Sequence, residues 1–509
     1  VINKYLFQLC IPMLPPSLKS RQFLALLAFF LVSRLFLSVI FPFFIGDEAN
    51  YANAYAEFAK SGRPDVYGEL VIKPAGMFVL SAPFLSIFLP LSAAFSLPIE
   101  VPFRITSIIF GALALAVLFL ILEHLTKSRT GAAAGALFFS ITPNFSLISF
   151  YYSPDIFFLL ALFLALHQLV SNQTKGGSIA AGLLTGLAFY IKMQQIALFF
   201  AVLVPFMLLR QKIRIDYFAY AAVSVVLAIL VSAIPYYPNR LTQLWLLVQT
   251  EFFTRLSPDA ASAAFSFASG LQIHLGVLVL LSSILFIKRE ALKGHLFEVS
   301  QIILLFSFFV LNSFYYTAIL FFGPALLVAS ALCAAKKADA MALGILLLLC
   351  ALFSLNTLYY ASFDSRYDFP SQKQLGLFLA GKYPLTILAA KPNMAIWSYY
   401  TNHYSNTSSP ALLANMRMTV LPYKFFAEGA GGSKQNNGYG MSPRIHAIYT
   451  SQSDSQETVM RKINTFNDTY LVVEKSHLDY FAGQVPEGYL KAASFGERPG
   501  FVVFEKTAR

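Results

Sequence analysis

The sequence predicts a polytopic α-helical membrane protein. Hydrophobic residues make up 57% of the 509-residue chain and charged residues only 12%, and the mean hydropathy is +0.64. Apolar runs long enough to cross a hydrocarbon core of about 30 Å recur from end to end. The net charge of +12 comes from basic residues that sit mostly in short loops between those runs. That distribution suits anionic headgroups and the positive-inside rule, and points away from nucleic acid. Cys10, Cys333 and Cys350 are isolated, with neither a disulfide framework nor a metal-ligand spacing.

Arg21 leads straight into an apolar stretch of about 24 residues, too long for a signal-peptide core, which reads as an uncleaved first span. Further runs predict helices near 103–125, 131–150, 154–170, 178–192, 194–210, 216–235, 271–287, 297–313, 315–334 and 339–360, so that with 22–45 there are about eleven. The run 75–97 decides the topology. If it stays on one side, the basic residues from Lys127 and Arg129 through Lys336 and Lys337 share the cytoplasm with Lys4, Lys19 and Arg21. Pro83, Pro90 and Pro98 are expected to interrupt it, as in a segment lying at the interface or re-entering. The expected orientation therefore has the N-terminus inside and the C-terminus outside.

This topology leaves outside the loop 46–102, the loop 236–270 and the tail 361–509. Residues 1–360 then form a transmembrane module and 361–509 a small extracytoplasmic α/β domain. In that domain TILAA, TYLVVEK and FVVFEK read as strands, and GAGGSKQNNGYG (429–440) as a flexible loop.

Several polar residues are not explained by solubility in the bilayer. Asp47 and Glu48, in GDEANY, follow the first span. Acids commonly cap such ends. Asp47, Tyr51 and Tyr55 also share one face of a helical stretch that Gly62 ends, where an acid beside aromatics can serve as general base for an acceptor hydroxyl. Lys73 closes the same loop, either snorkelling toward headgroups or holding a lipid-linked phosphate. Pro154-Asp155 is a good helix start, and Asp155 shares the expected outer face with Asp47. Lys192, followed by Gln194 and Gln195 between two apolar stretches, needs partners or a polar cavity. Arg104 starts the second span from outside, where it meets headgroups or a phosphate; Arg34 lies deeper in the first span, with no role assigned. The seven histidines make no metal-ligand spacing, and no glycine-rich phosphate loop supports nucleotide chemistry.

The order of these motifs resembles the GT-C superfamily of integral-membrane glycosyltransferases, and within it the dolichyl-phosphate-mannose protein mannosyltransferase and lipid A aminoarabinose transferase branch. The resembling residues are GDEANY, VIKPAGMF, the run from PFRITSIIF to SITPNF, YYSPDIFFLLALFLAL and GLLTGLAFYIKMQQIALFF, together covering about residues 22–215. The resemblance implies a polyprenyl-phosphate (dolichyl or undecaprenyl) sugar donor, inverting transfer on the extracytoplasmic face, and a protein, lipid or glycan acceptor. It implies Asp47 as base or acceptor-orienting carboxylate with Glu48 supporting it, Lys73 on the donor phosphate, Asp155 as second carboxylate and Lys192 facing the same cavity; Tyr51 and Arg104 are further candidates for donor and substrate binding. Two departures bear on sugar and acceptor: Asn50 where some relatives have a basic residue, and Ala75 where others repeat the proline. No cofactor is expected. Asp47, Glu48 and Asp155 could bind a divalent cation, but the expectation is metal independence.

Two rival readings remain open on the sequence. A transporter or flippase for lipid-linked sugars also needs intramembrane charges, but favours paired inverted repeats, and no internal symmetry is evident. A membrane-anchored binding or assembly protein would make the acid pair incidental.

Overall fold

A computed structural model describes residues 15–41, 48–61, 75–192, 196–210, 214–233, 296–310, 314–333, 369–379, 385–389, 445–449, 457, 469–475, 478, 488–496 and 500–507. The expected spans 271–287 and 339–360 and the loops 236–270 and 429–440 lie outside the described residues. The chain falls into two compact units, residues 1–40 with 104–359 and residues 41–103 with 360–509.

The described helices are α1 (Arg21–Ile40), α2 (Glu48–Ser61), α3 (Gly76–Ala94), α4 (Glu100–Thr126), α5 (Arg129–Ile141), α6 (Pro143–Ile148), α7 (Pro154–Ser171), α8 (Lys175–Ile191), α9 (Ile196–Leu209), α10 (Asp216–Ala233), α11 (Leu296–Val310), α12 (Phe322–Cys333) and α13 (Phe369–Leu379). By length and composition α1, α3, α4 and α7 are each able to cross a membrane. On α1, Val32, Phe36 and Val39 are exposed, an apolar face that hydrocarbon solvates and water does not.

Three expected boundaries are corrected. The run 75–97 is not interrupted by its prolines: α3 continues through Pro83 and Pro90, and Pro98 lies beyond its end. Each proline removes one ladder bond, and the rest of the ladder carries the helix on. The run expected as one span over 131–150 breaks at Thr142, whose backbone is extended (φ −62°, ψ 143°) because Pro143 follows it. The span expected at 315–334 begins as a 3-10 helix, Phe314–Phe321, before α12 takes over.

In the first unit α7 and α8 form a hairpin through Asn172–Thr174, where Thr174 caps α8 by accepting from the Gly177 amide at 3.2 Å. α8 packs closely on α10 at Gly182 and Gly186. A Cβ added there would come within 2.6 Å of Tyr220 Cβ and 2.5 Å of Ser224 Cβ, respectively. Between those glycines Thr185 Oγ1 and the Tyr217 hydroxyl, both buried, share a hydrogen bond of 2.8 Å.

The second unit holds α2, α3, the start of α4, α13 and a five-stranded sheet ordered β2-β1-β3-β5-β4. Its strands are β1 (Leu385–Ala389), β2 (Ile445–Tyr449), β3 (Tyr470–Glu474), β4 (Tyr489–Phe495) and β5 (Phe501–Lys506). The TILAA, TYLVVEK and FVVFEK runs are strands as expected; β2 and β4 were not anticipated. β3 runs parallel to β1 and antiparallel to β5, with Val472 opposite Val503. Leu471, Val472 and Val473 are buried with Phe501–Phe504, which is why these central strands read as continuous apolar runs.

Candidate active site

The α7–α8 hairpin brings the first turn of α7 beside the end of α8. Asp155 is the second residue of α7, and Lys192 caps α8 in an extended conformation (φ −156°, ψ 98°). Lys192 Nζ donates to Asp155 Oδ1 at 2.7 Å, and the two residues are only 8% and 7% exposed. Both charges sit where helix dipoles favour them, the carboxylate at an N-terminus and the ammonium at a C-terminus. A lone charge at this burial would be costly, so each side chain supplies the other with the opposite charge it needs.

Arg104, fully buried in the first turns of α4, lies with its guanidinium over the Phe150 ring at 4.6 Å. Phe150 belongs to the short segment between α6 and α7, five residues before Asp155. α4 also touches the start of α7 through Phe110 and Phe157, whose ring centroids are 4.3 Å apart, and Tyr152 meets Phe157 edge-on. Arg104, Phe150, Asp155 and Lys192 thus belong to one end of this helix cluster.

Two hydroxyls here were not singled out from sequence. Ser107, one turn after Arg104, and Ser153, at the N-cap of α7, are buried with no hydrogen-bond partner for their oxygens among the described residues. Serine burial depends on tertiary packing, and only the position of Ser153 before Pro154 carried any local signal.

The second unit holds the other described site residues. Glu48 is fully buried in the first turn of α2, and Tyr51, one turn on, is half-buried. Tyr55 follows on the same face, buried edge-on against Phe103 with ring centroids 6.0 Å apart, and burial pushes its phenol above the ordinary tyrosine range. Sequence reading also missed Glu100, which is fully buried and accepts from Lys373 Nζ at 2.8 Å. Asp47 and Lys73 lie outside the described residues. Among the described residues no three His, Cys, Asp or Glu side chains are grouped so that they could hold a metal ion.

Comparison with known proteins follows the same lines. Residues 81–237 match the family model of dolichyl-phosphate-mannose-protein mannosyltransferases, a window that contains Arg104, Asp155 and Lys192 but neither GDEANY nor Lys73. No curated protein matches the chain by sequence. In fold it is similar to ArnT from Cupriavidus metallidurans bound to undecaprenyl phosphate, at 12% identity and TM-score 0.58 over 94% of this chain and 98% of that one. The apo state of the same ArnT gives 14% identity and TM-score 0.53, over 93% and 97% of the two chains. Arabinofuranosyltransferase AftD from Mycobacteria gives 14% identity and TM-score 0.49, over 95% of this chain and 40% of that one. With the ArnT fold over nearly its whole length and the mannosyltransferase pattern over residues 81–237, the chain resembles the GT-C integral-membrane glycosyltransferases, as its motifs led us to expect.

Proposed function

We propose that this protein transfers a sugar from a polyprenyl phosphate to an acceptor hydroxyl at the extracytoplasmic membrane face, with inversion at the anomeric carbon. The observation that carries the reading is the buried Asp155–Lys192 pair, with Arg104 held over Phe150 on the segment that leads into α7, in the fold of a protein whose structure holds undecaprenyl phosphate. The pair is neutral overall, so it can face a polyol without repelling it, while Arg104 and Lys73 supply cations for the phosphate.

In this mechanism Asp47 aligns the acceptor hydroxyl and takes its proton. The acceptor oxygen bonds to the anomeric carbon as the bond from that carbon to the phosphate oxygen breaks. Polyprenyl phosphate leaves with the electron pair, its growing charge met by Lys73 and Arg104. Phosphate is already a good leaving group, so orientation and charge stabilisation suffice without a nucleotide. Asp155, held by Lys192, orients sugar or acceptor hydroxyls, and Glu48 and Tyr51 support the base.

The test is direct. Purified protein is given radiolabelled polyprenyl-phosphate sugars and a panel of acceptors, with Asp47→Asn and Asp155→Asn in parallel and with and without chelator. Label should move to an acceptor in the wild type and not in either variant, with or without chelator. Transfer that survives Asp47→Asn removes that residue as base, and no transfer from a broad donor panel rejects the reading.

A further inference from the structure

One charged residue of the first unit stands apart from the site yet is fully engaged. Arg34 lies two-thirds of the way along α1, inside a span, and is only 4% exposed. A guanidinium at that depth persists only where partners satisfy it. Its Nε donates to Ser149 Oγ at 2.8 Å, and its Nη2 to Ser146 Oγ at 3.1 Å and to the Ser140 carbonyl. Nη1 donates to Ser33 Oγ at 3.1 Å, and the guanidinium lies 5.0 Å from the Phe30 ring centroid.

Those partners bracket the break between α5 and α6. Ser140 is the penultimate residue of α5, Ser146 lies in α6 and Ser149 follows α6 directly. The planar fork of arginine can reach all three at once, which a lysine ammonium cannot reproduce in the same geometry. The next residue after Ser149 is Phe150, whose ring carries the Arg104 guanidinium. α4 approaches closely at the same junction: a Cβ on Gly111 would lie 2.9 Å from both Phe30 Cζ and Ser149 Cβ. So α1, α4 and the segment after α6 pack closely around Phe30 and Ser149, the latter a partner of Arg34.

We propose that Arg34 is a positioning residue for the donor phosphate: by clamping Ser140, Ser146 and Ser149 it sets Phe150, and through Phe150 the Arg104 guanidinium. The proposal rests on the glycosyltransferase reading for the identity of the ligand. A residue that merely holds the fold would lower stability without a specific dependence on Arg104. A positioning residue loses its effect on ligand binding once Arg104 is gone.

The experiment measures undecaprenyl phosphate binding to the purified full-length protein in lipid nanodiscs, with thermal unfolding in parallel. The variants are Arg34→Gln, Arg34→Lys, Ser149→Ala, Arg104→Ala and the Arg34→Gln/Arg104→Ala double. Arg34→Gln should weaken binding by about tenfold or more, with Ser149→Ala giving a smaller loss and Arg34→Lys an intermediate one. The double variant should bind no worse than Arg104→Ala alone. Should Arg34→Gln not fold, Ser149→Ala and its double with Arg104→Ala carry the same comparison. Wild-type binding by the single variants, or losses that add in full to that of Arg104→Ala, overturn the proposal. Failure of the wild type itself to bind removes the functional reading and this inference together, whereas intact wild-type binding with unaffected variants removes the inference alone.

Discussion

Lys192 Nζ lies 2.7 Å from Asp155 Oδ1 at the open end of the α7–α8 hairpin, and neither side chain is more than 9% exposed. Removing one partner of such a pair leaves an uncompensated buried charge, costing about 3–5 kcal/mol, whereas apolar replacement of both can be close to neutral. Asp155→Leu should therefore unfold at lower temperature than the wild type, and Asp155→Leu/Lys192→Met should recover most of that loss. The double variant should still transfer no sugar. Thermal unfolding with the transfer assay checks both; recovered transfer would show the pair to be structural alone.

Ser153 occupies the N-cap of α7, a position where serine to alanine ordinarily costs about 1 kcal/mol. Here the side chain makes no cap bond and its oxygen is buried without a partner among the described residues. A buried, unsatisfied hydroxyl is itself unfavourable by about 1–3 kcal/mol. Ser153→Ala is thus expected to leave the unfolding midpoint unchanged or raise it. A fall equivalent to 1 kcal/mol or more, measured by thermal unfolding, would mean that the hydroxyl is bonded in the native state.

Glu100 and Lys373 join positions 273 apart in sequence, and the Glu100 side chain is 1% exposed against 19% for Lys373. Lys373→Ala removes the ammonium that Glu100 accepts from and should destabilise the second unit by about 2–5 kcal/mol. Glu100→Gln in the same chain should restore part of it, because an amide is less costly to bury than a carboxylate. Limited proteolysis within 360–509 reads this out. Equal cleavage rates for wild type and Lys373→Ala would show that the pair adds nothing to stability.

What could be read from sequence follows the cost of exposing or burying each group. Lys192 in an apolar run demanded partners or a polar cavity, but its pairing with Asp155 across 37 positions depends on how α7 and α8 pack and had no local signal. The central strands β3 and β5 were visible because both their faces are buried, which makes a continuous apolar run. β4, YLKAASF, mixes lysine, serine and small residues, so it lacked that signal. Glu100 and Lys373 were invisible for another reason: their pairing across 273 positions depends on tertiary packing that no local pattern encodes. The Thr142–Pro143 break was written in the sequence as a residue before proline, but the apolar run around it masked the punctuation.

Gly186 tests how tightly α8 is held. A Cβ there would lie 2.5 Å from Ser224 Cβ and 2.8 Å from the Ser224 backbone carbonyl, so α8 and α10 would have to separate. Forcing an extra methyl into such a contact costs about 1–3 kcal/mol. Gly186→Ala should accordingly lower the unfolding midpoint. Ser224→Gly in the same chain should restore only part of it, since the backbone clash stays when the side chain is gone. Thr185 directly precedes Gly186 and Tyr217 lies about two turns before Ser224, so Tyr217→Phe, which removes their hydrogen bond, should add less to Gly186→Ala than it costs alone. A full additive loss in unfolding free energy would show that the two contacts act independently and that the helix pair does not separate as a unit.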